Sequence, residues 1–239
     1  MFEQNHSSKP HLVVLTGAGI SAESGLQTFR DSDGLWMGYD VYEVASPAGW
    51  KKDPAMVLDF YNKRRQDVAA ASPNEAHLGL ARLENYFEVT IVTQNIDDLH
   101  ERAGSTNVIH LHGEIFKMRS ESPDALAENK IIDIRGEIRV GDLAEDGRQL
   151  RPHIVWFDEQ VTLIPVAKRI MRQADIFVLV GTSLQVYPAA GLINYVPQIA
   201  PKYIIDKKIP FVTVADNIFF MEKPATDGVR DLCEILISS

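Results

Sequence analysis

A single cysteine, Cys233, excludes an intrachain disulfide and any cysteine-cluster metal site. Its setting, VRDLCEIL, is an apolar helix-like pattern that predicts a core position. Basic residues are scarce as well. The 24 Lys and Arg stand against 33 Asp and Glu, a net charge of -9, so no basic stripe can track a phosphate backbone. Nucleic acid is thereby disfavoured as the main ligand, and basic peptides mildly favoured. Long apolar runs are absent too: the most apolar stretch, ADIFVLVGTSLQVYPAAGLINYV, is broken by Gly, Gln and Pro before it could span a bilayer. MFEQNHSSKP lacks the charged-then-apolar pattern of a signal peptide. The expectation is a cytoplasmic protein with no membrane partner. No internal repeat or low-complexity tract occurs.

What is present is material for a core. At 45% hydrophobic and 24% charged, 239 residues can bury a core as one large domain or as one domain carrying a small insertion. Strand-like runs recur at HLVVLT, FEVTIVT, NVIHL, DIFVLVG, KYIID and IPFVTV, with helix-like stretches PAMVLDFYNKRRQDVAAA and PNEAHLGLARLENY between them. This alternation predicts an α/β fold, a Rossmann-like, doubly wound and mostly parallel sheet. Residues 10–116 and 151–239 would form it. Residues 117–150 are polar and charge-rich with one short β-like run, and read as a small inserted module.

The stretch LTGAGISAESGLQTFR, residues 15–30, places Gly17, Gly19 and Ala22 at the GxGxxG/A spacing in which backbone closes on a pyrophosphate. The match alone is weak, because a glycine-rich strand-to-helix turn can carry it and bind nothing. The next residues depart from a dehydrogenase pattern: Gly25 interrupts early, and FRDSDGLW is too polar and glycine-broken for a buried second strand. Polar groups also gather where strands end, the ligand side of open α/β sheets. FEVTIVT runs into QNIDDLH, NVIHL into HGE, and DIFVLV into GTS. Singly, Asn95 and Asp97 could cap a helix beginning near DDLHERAG, and His112 could be a turn histidine. Together they form a candidate site.

GAGISAESGLQTFR, TQNIDDLHERAG, HLHGE, RPHIVWFDE and GTSLQVYPAA stand in the order and approximate spacing of the sirtuins, NAD-dependent protein lysine deacylases. The resemblance covers roughly residues 10–235. It implies that the segment after the glycines is a cofactor loop, with Thr28, Phe29 and Arg30 near the nicotinamide ribose. NAD would be consumed as co-substrate: the acyl-lysine carbonyl oxygen attacks ribose C1′, nicotinamide leaves, and a ribose hydroxyl then attacks the carbon of the acyl group. O-acyl-ADP-ribose and free lysine result. The resemblance makes His112 the general base, a role suited to an imidazole with an ordinary pKa near 6.5. His110 is the weaker candidate, since the family base immediately precedes Gly-Glu.

By the same resemblance, Gly17, Ala18, Gly19, Ser21 and Ala22 lie along the phosphates, with Gly181, Thr182 and Ser183 completing that side. Gln94 and Asn95 lie near the nicotinamide ribose, where Asn95 joins His112 at the reacting centre, and Asp97 sits at the carboxamide. Asp206 would hold ribose hydroxyls where most sirtuins have Asn. Val155, Trp156 and Phe157 belong to a strand-like segment running to Glu159 that pairs with an acyl-lysine peptide. Asp158 stands where most sirtuins have Gly, which leaves the peptide geometry open. The family's two cysteine pairs are missing from residues 113–152, so no zinc is expected. Ile131, Ile132, Ile134 and Ile138 would pack the module instead.

DFYNKRR adds a finer expectation. Tyr61 and Arg64, at i and i+3 of a helix, share a face. They resemble the segment by which one sirtuin subclass recognises succinyl-like groups, and Ala45 matches the small residue that leaves room. The other reading is a solvated basic helix face. Three alternatives to deacylation stay open: ADP-ribosyl transfer to protein, NAD hydrolysis, and non-enzymatic NAD sensing. The oligomeric state is not legible.

Overall fold

The computed structural model describes residues 9–28, 35–122, 130–212 and 216–238. The strands are β1 (His11–Thr16), β2 (Leu35–Trp36), β3 (Tyr39–Asp40), β4 (Glu88–Thr93), β5 (Val108–His110), β6 (Gly113–Ser120), β7 (Ile132–Asp133), β8 (Leu150–Ile154), β9 (Ile176–Val180), β10 (Lys202–Asp206) and β11 (Ile218–Glu222). The helices are α1 (Val41–Val44), α2 (Pro47–Lys52), α3 (Pro54–Ala70), α4 (Glu75–Leu83), α5 (Leu99–Arg102), α6 (Ile164–Met171) and α7 (Ala225–Ile237).

Six strands form one sheet in the order β11-β10-β9-β1-β4-β5, every pair parallel. The central strands are apolar on both faces because helices cover both. On one side Leu12, Val14 and Ile205 meet Leu80 of α4 with Val229 and Leu232 of α7. On the other, Val13, Leu15 and Leu179 meet Ala167 and Met171 of α6 and Leu192. From β1 the chain adds β4 and then β5 to one side, and β9, β10 and β11 to the other. The winding therefore reverses at β1, and a crevice opens beside its C-terminal end.

The helix starts follow local chemistry. Asp53 accepts from the Met56 amide with Pro54 opening α3, and Asn74 with His77 closes a capping box on α4. A second, antiparallel sheet, β7-β6-β8, stands against α3. Ile115, Phe116 and Ile154 from it pack with Val57, Phe60 and Tyr61. This third cluster positions α3 against the mouth of the crevice.

Two expectations need revision. IPFVTV does not supply the last strand: residues 209–212 are irregular, Pro210 has no N–H to give a ladder, and IFFME at 218–222 pairs with β10 instead. Within the inserted region, Ile138 is buried against Leu58 and Leu150, but Ile132 is 45% exposed on β7, so the four isoleucines do not form one packed β pair. Strand β6 spans Gly113–Ser120, across residue 117, and its pairing with β8 shifts register between Gly113 and Met118.

Candidate active site

The glycine-rich turn leaves β1 at Gly17 and the second turn leaves β9 at Gly181, side by side across the reversal point. They touch: the Gly17 amide donates to Val180 O at 3.0 Å and the Gly19 amide to Gly181 O at 2.8 Å. A Cβ on Gly19 would lie 2.7 Å from Gly181 Cα, and one on Gly17 2.7 Å from Thr182 Cβ. Glycine is required here by the approach of one turn to the other.

Gln94, at the end of β4, ties the strand ends together. Its amide donates to Thr16 O at 3.0 Å and its side chain to Thr182 Oγ1 at 3.1 Å. Its carbonyl lies 2.9 Å from His112 Nδ1. Because a carbonyl only accepts, Nδ1 must carry the hydrogen, which leaves Nε2 as the lone-pair nitrogen. Burial lowers the His112 pKa, and the bond to Gln94 opposes that only in part. The imidazole is therefore neutral and ready to accept a proton at neutral pH.

Beside it, Asn95 Nδ2 donates to Ser21 Oγ at 3.1 Å, and Ser21 Oγ donates to Asp97 Oδ2 at 3.1 Å. Burial raises the Asp97 pKa, against the bonds from the Leu99 amide and Ser21. His110 is built differently. Its Nδ1 faces Asn95 O at 3.0 Å and its Nε2 faces Glu101 at 2.7 Å, so both nitrogens meet acceptors. Burial would discharge it, yet Glu101 prevails and its pKa is raised. With both ring nitrogens committed to acceptors, His110 is poorly placed to take a proton from a ligand, and it braces the Asn95 backbone.

One cavity brings together Gly17, Ala18, Gly19, Ser21, Thr28, Ala45, Tyr61, Arg64, Gln94, Asn95, Asp97, His112, Val155, Trp156, Phe157, Gly181, Thr182 and Ser183. Ala22 follows the first turn but is outside that lining, as is Asp206, which ends β10 and accepts from the Lys208 amide at 2.9 Å. Phe29 and Arg30 lie outside the described residues. The expected strand-like run from Val155 to Glu159 is corrected: β8 stops at Ile154, and the chain turns at 157–159 with Asp158 at φ +66°. The turn is pinned by Phe157 N to Ala45 O at 2.9 Å and by Glu159, whose carboxylate accepts from Arg151 and the Trp156 amide.

At the far wall, Trp156 Nε1 donates to Tyr61 Oη at 3.1 Å, so the Tyr61 hydrogen is left for another acceptor. Burial pushes the Tyr61 pKa up, keeping that hydrogen in place. Arg64 is 6% exposed, donates through one nitrogen to Gln27 O at 3.3 Å, leaves Nε unbonded, and forms no ion pair with a described residue. The reading of a solvated basic face fails. Sequence reasoning missed the Gln94 tether and the Arg151–Glu159 clamp, because neither pairing is marked by local spacing. It also missed the rim residues Val186, Tyr187 and Pro188, although they lie within the GTSLQVYPAA motif.

Fold and site together define a doubly wound α/β protein with a neutral imidazole at the sheet's ligand crevice. Residues 17–188 match the Sir2 family, and the chain belongs to it. It is 51% identical over 230 residues to an NAD-dependent protein deacylase of Bacteroides thetaiotaomicron, covering 95% of this chain and 98% of the relative. Among solved structures, it resembles a Sir2 homologue mutant in complex with ADP-ribose, with TM-score 0.85, 36% identity, and 96% and 93% of the two chains covered. It also resembles a Sir2 homologue mutant in complex with 2′-O-acetyl ADP-ribose, with TM-score 0.83, 35% identity, and 100% and 97% coverage.

Proposed function

We propose that the protein is an NAD-dependent protein-lysine deacylase that removes succinyl or malonyl groups as well as acetyl. The names of its relatives and the ADP-ribose ligands of its structural neighbours support the NAD half. The acidic-acyl half is carried by one observation: Arg64 is a buried cation lining the same cavity as His112, with Nε unbonded and no ion pair to a described residue, Asp97 and Asp67 acting on it only at longer range. A succinyl or malonyl carboxylate supplies that partner, and the Tyr61 hydroxyl a second donor.

The residues fit NAD. Its phosphates would lie along the turns at Gly17–Ser21 and Gly181–Ser183, its nicotinamide ribose near Gln94 and Asn95, and its carboxamide against Asp97, a carboxylate able to accept amide hydrogens. Bound NAD supplies an electrophilic ribose carbon and nicotinamide as leaving group. The chain supplies proton transfer and position. His112 takes a ribose hydroxyl proton at Nε2, its tautomer fixed by Gln94 O. Ser21 and Asp97 hold Asn95 beside it. Ala45 and Trp156, both buried, wall the acyl-lysine channel and exclude water.

The inserted region carries no cysteine, and the described residues contain no cluster of potential metal ligands. Ser120 Oγ donates to Asp146 at 2.8 Å there, and Gln149 braces the Arg139, Asp142 and Leu150 carbonyls. These bonds give the region a means of holding together without zinc, which is the reading proposed here; stoichiometric zinc in elemental analysis would overturn it. Product analysis tests the main reading. Nicotinamide and O-acyl-ADP-ribose formed with deacylated lysine support it, whereas free or protein-linked ADP-ribose without deacylation points to NAD hydrolysis or ADP-ribosyl transfer.

A further inference from the structure

The rim of the cavity carries a carboxylate that the proposed reaction does not use. Among the described lining residues the carboxylates are Asp97, Asp158 and Glu159. Asp97 is buried and bonded to Ser21 and the Leu99 amide. Glu159 is engaged by Arg151 and the Trp156 amide. Asp158 is exposed and makes no hydrogen bond or ion pair with another described residue.

Its backbone sits in the left-handed region, φ +66°. The neighbours impose this: Phe157 N is bound to Ala45 O and Glu159 N to Trp156 O at 3.1 Å. Glycine adopts such a conformation without a steric penalty, and aspartate adopts it less readily. A strained residue kept at a ligand cavity, where glycine would relieve the strain, points to a use for its side chain.

We propose that Asp158 is a specificity-determining residue that reads a Lys or Arg within two positions of the acyl-lysine in the substrate peptide. The proposal rests on the deacylase reading. Main-chain pairing with a peptide is blind to side chains, so sequence preference must come from groups such as this. Two residues of extended peptide span roughly 7 Å, within reach of a long basic side chain. The described lining offers no competing cation at the rim, since its one cation, Arg64, is buried. The net charge of -9 acts in the same direction at long range.

The test uses acyl-lysine peptides with Arg or Glu placed at each position from two before to two after the modified lysine. The readout is the Arg-to-Glu ratio of kcat/KM, for wild type, Asp158→Asn and Asp158→Gly; both replacements accept a left-handed backbone. Wild type should prefer Arg at one or more positions. Both variants should lower that ratio there by about two- to fivefold, as for an exposed ion pair, and the difference should shrink near 1 M salt. A ratio unchanged at every position would overturn the role of Asp158. Absence of NAD-dependent deacylation by wild type on every peptide would instead overturn the deacylase reading.

Discussion

Replacing Arg64 by Met keeps most of the aliphatic stem and removes the charge. Arg64 has already lost its water, with a pKa lowered by burial, and makes only the bond to Gln27 O among described residues. An acyl carboxylate would meet it at no further cost to the arginine, in a charge-assisted pair that the guanidinium fork can make bidentate. Such bonds contribute about 1.5–3 kcal/mol, roughly ten- to a hundredfold in kcat/KM. A neutral acetyl group has no such partner to lose. Arg64→Met should therefore lower the succinyl-to-acetyl ratio of kcat/KM by at least about tenfold, measured on one peptide sequence with NAD saturating. Arg64→Lys should fall between, because it keeps the charge and loses the fork. An equal loss on both substrates would refute the reasoning, and would mean that Arg64 serves the segment carrying Gln27.

His112→Ala should cut deacylation by roughly 10²–10⁴-fold while NAD still binds by calorimetry; near-normal turnover would remove His112 as the base. The desolvated His112 also predicts that the acid limb of kcat/KM lies below the ordinary histidine pKa; a limb above it would contradict the neutral, carbonyl-tethered imidazole. Acid should destabilise the fold through His77, held by burial at about 4. Below about pH 6.5 the unfolded chain takes up a proton that native His77 refuses until about pH 4, so stability falls as pH drops through that window, by about 2 kcal/mol at pH 5. His100, also lowered by burial, adds in the same direction, while His110, whose pKa is raised, opposes. Urea unfolding at pH 7.5 and 5 checks this, and equal or greater stability at pH 5 would contradict it.

The parts of this molecule legible in its sequence were those with local signals. Apolar runs ending in glycine or in QNID, HGE and GTS marked β1, β4, β5 and β9, and their polar ends do line one cavity. IPFVTV misled because it has strand composition, whereas the true edge strand leaves Phe219 and Phe220 exposed and shows no buried alternation. The tautomer of His112 depends on a carbonyl 18 residues away, and the charge on His110 on a carboxylate from α5. Tertiary contacts of this kind have no periodicity to read. The left-handed turn at Asp158 was hidden for the opposite reason, since its residue is not the glycine that would have announced it.

The most direct test is an assay of the wild-type protein with NAD and a matched pair of peptides, one succinylated and one acetylated on the same lysine. Both should be deacylated, with one nicotinamide and one O-acyl-ADP-ribose formed per lysine freed. Removal of acetyl with succinyl-lysine left untouched would contradict the assignment of Tyr61 and Arg64, and NAD cleavage without any free lysine would contradict deacylation itself.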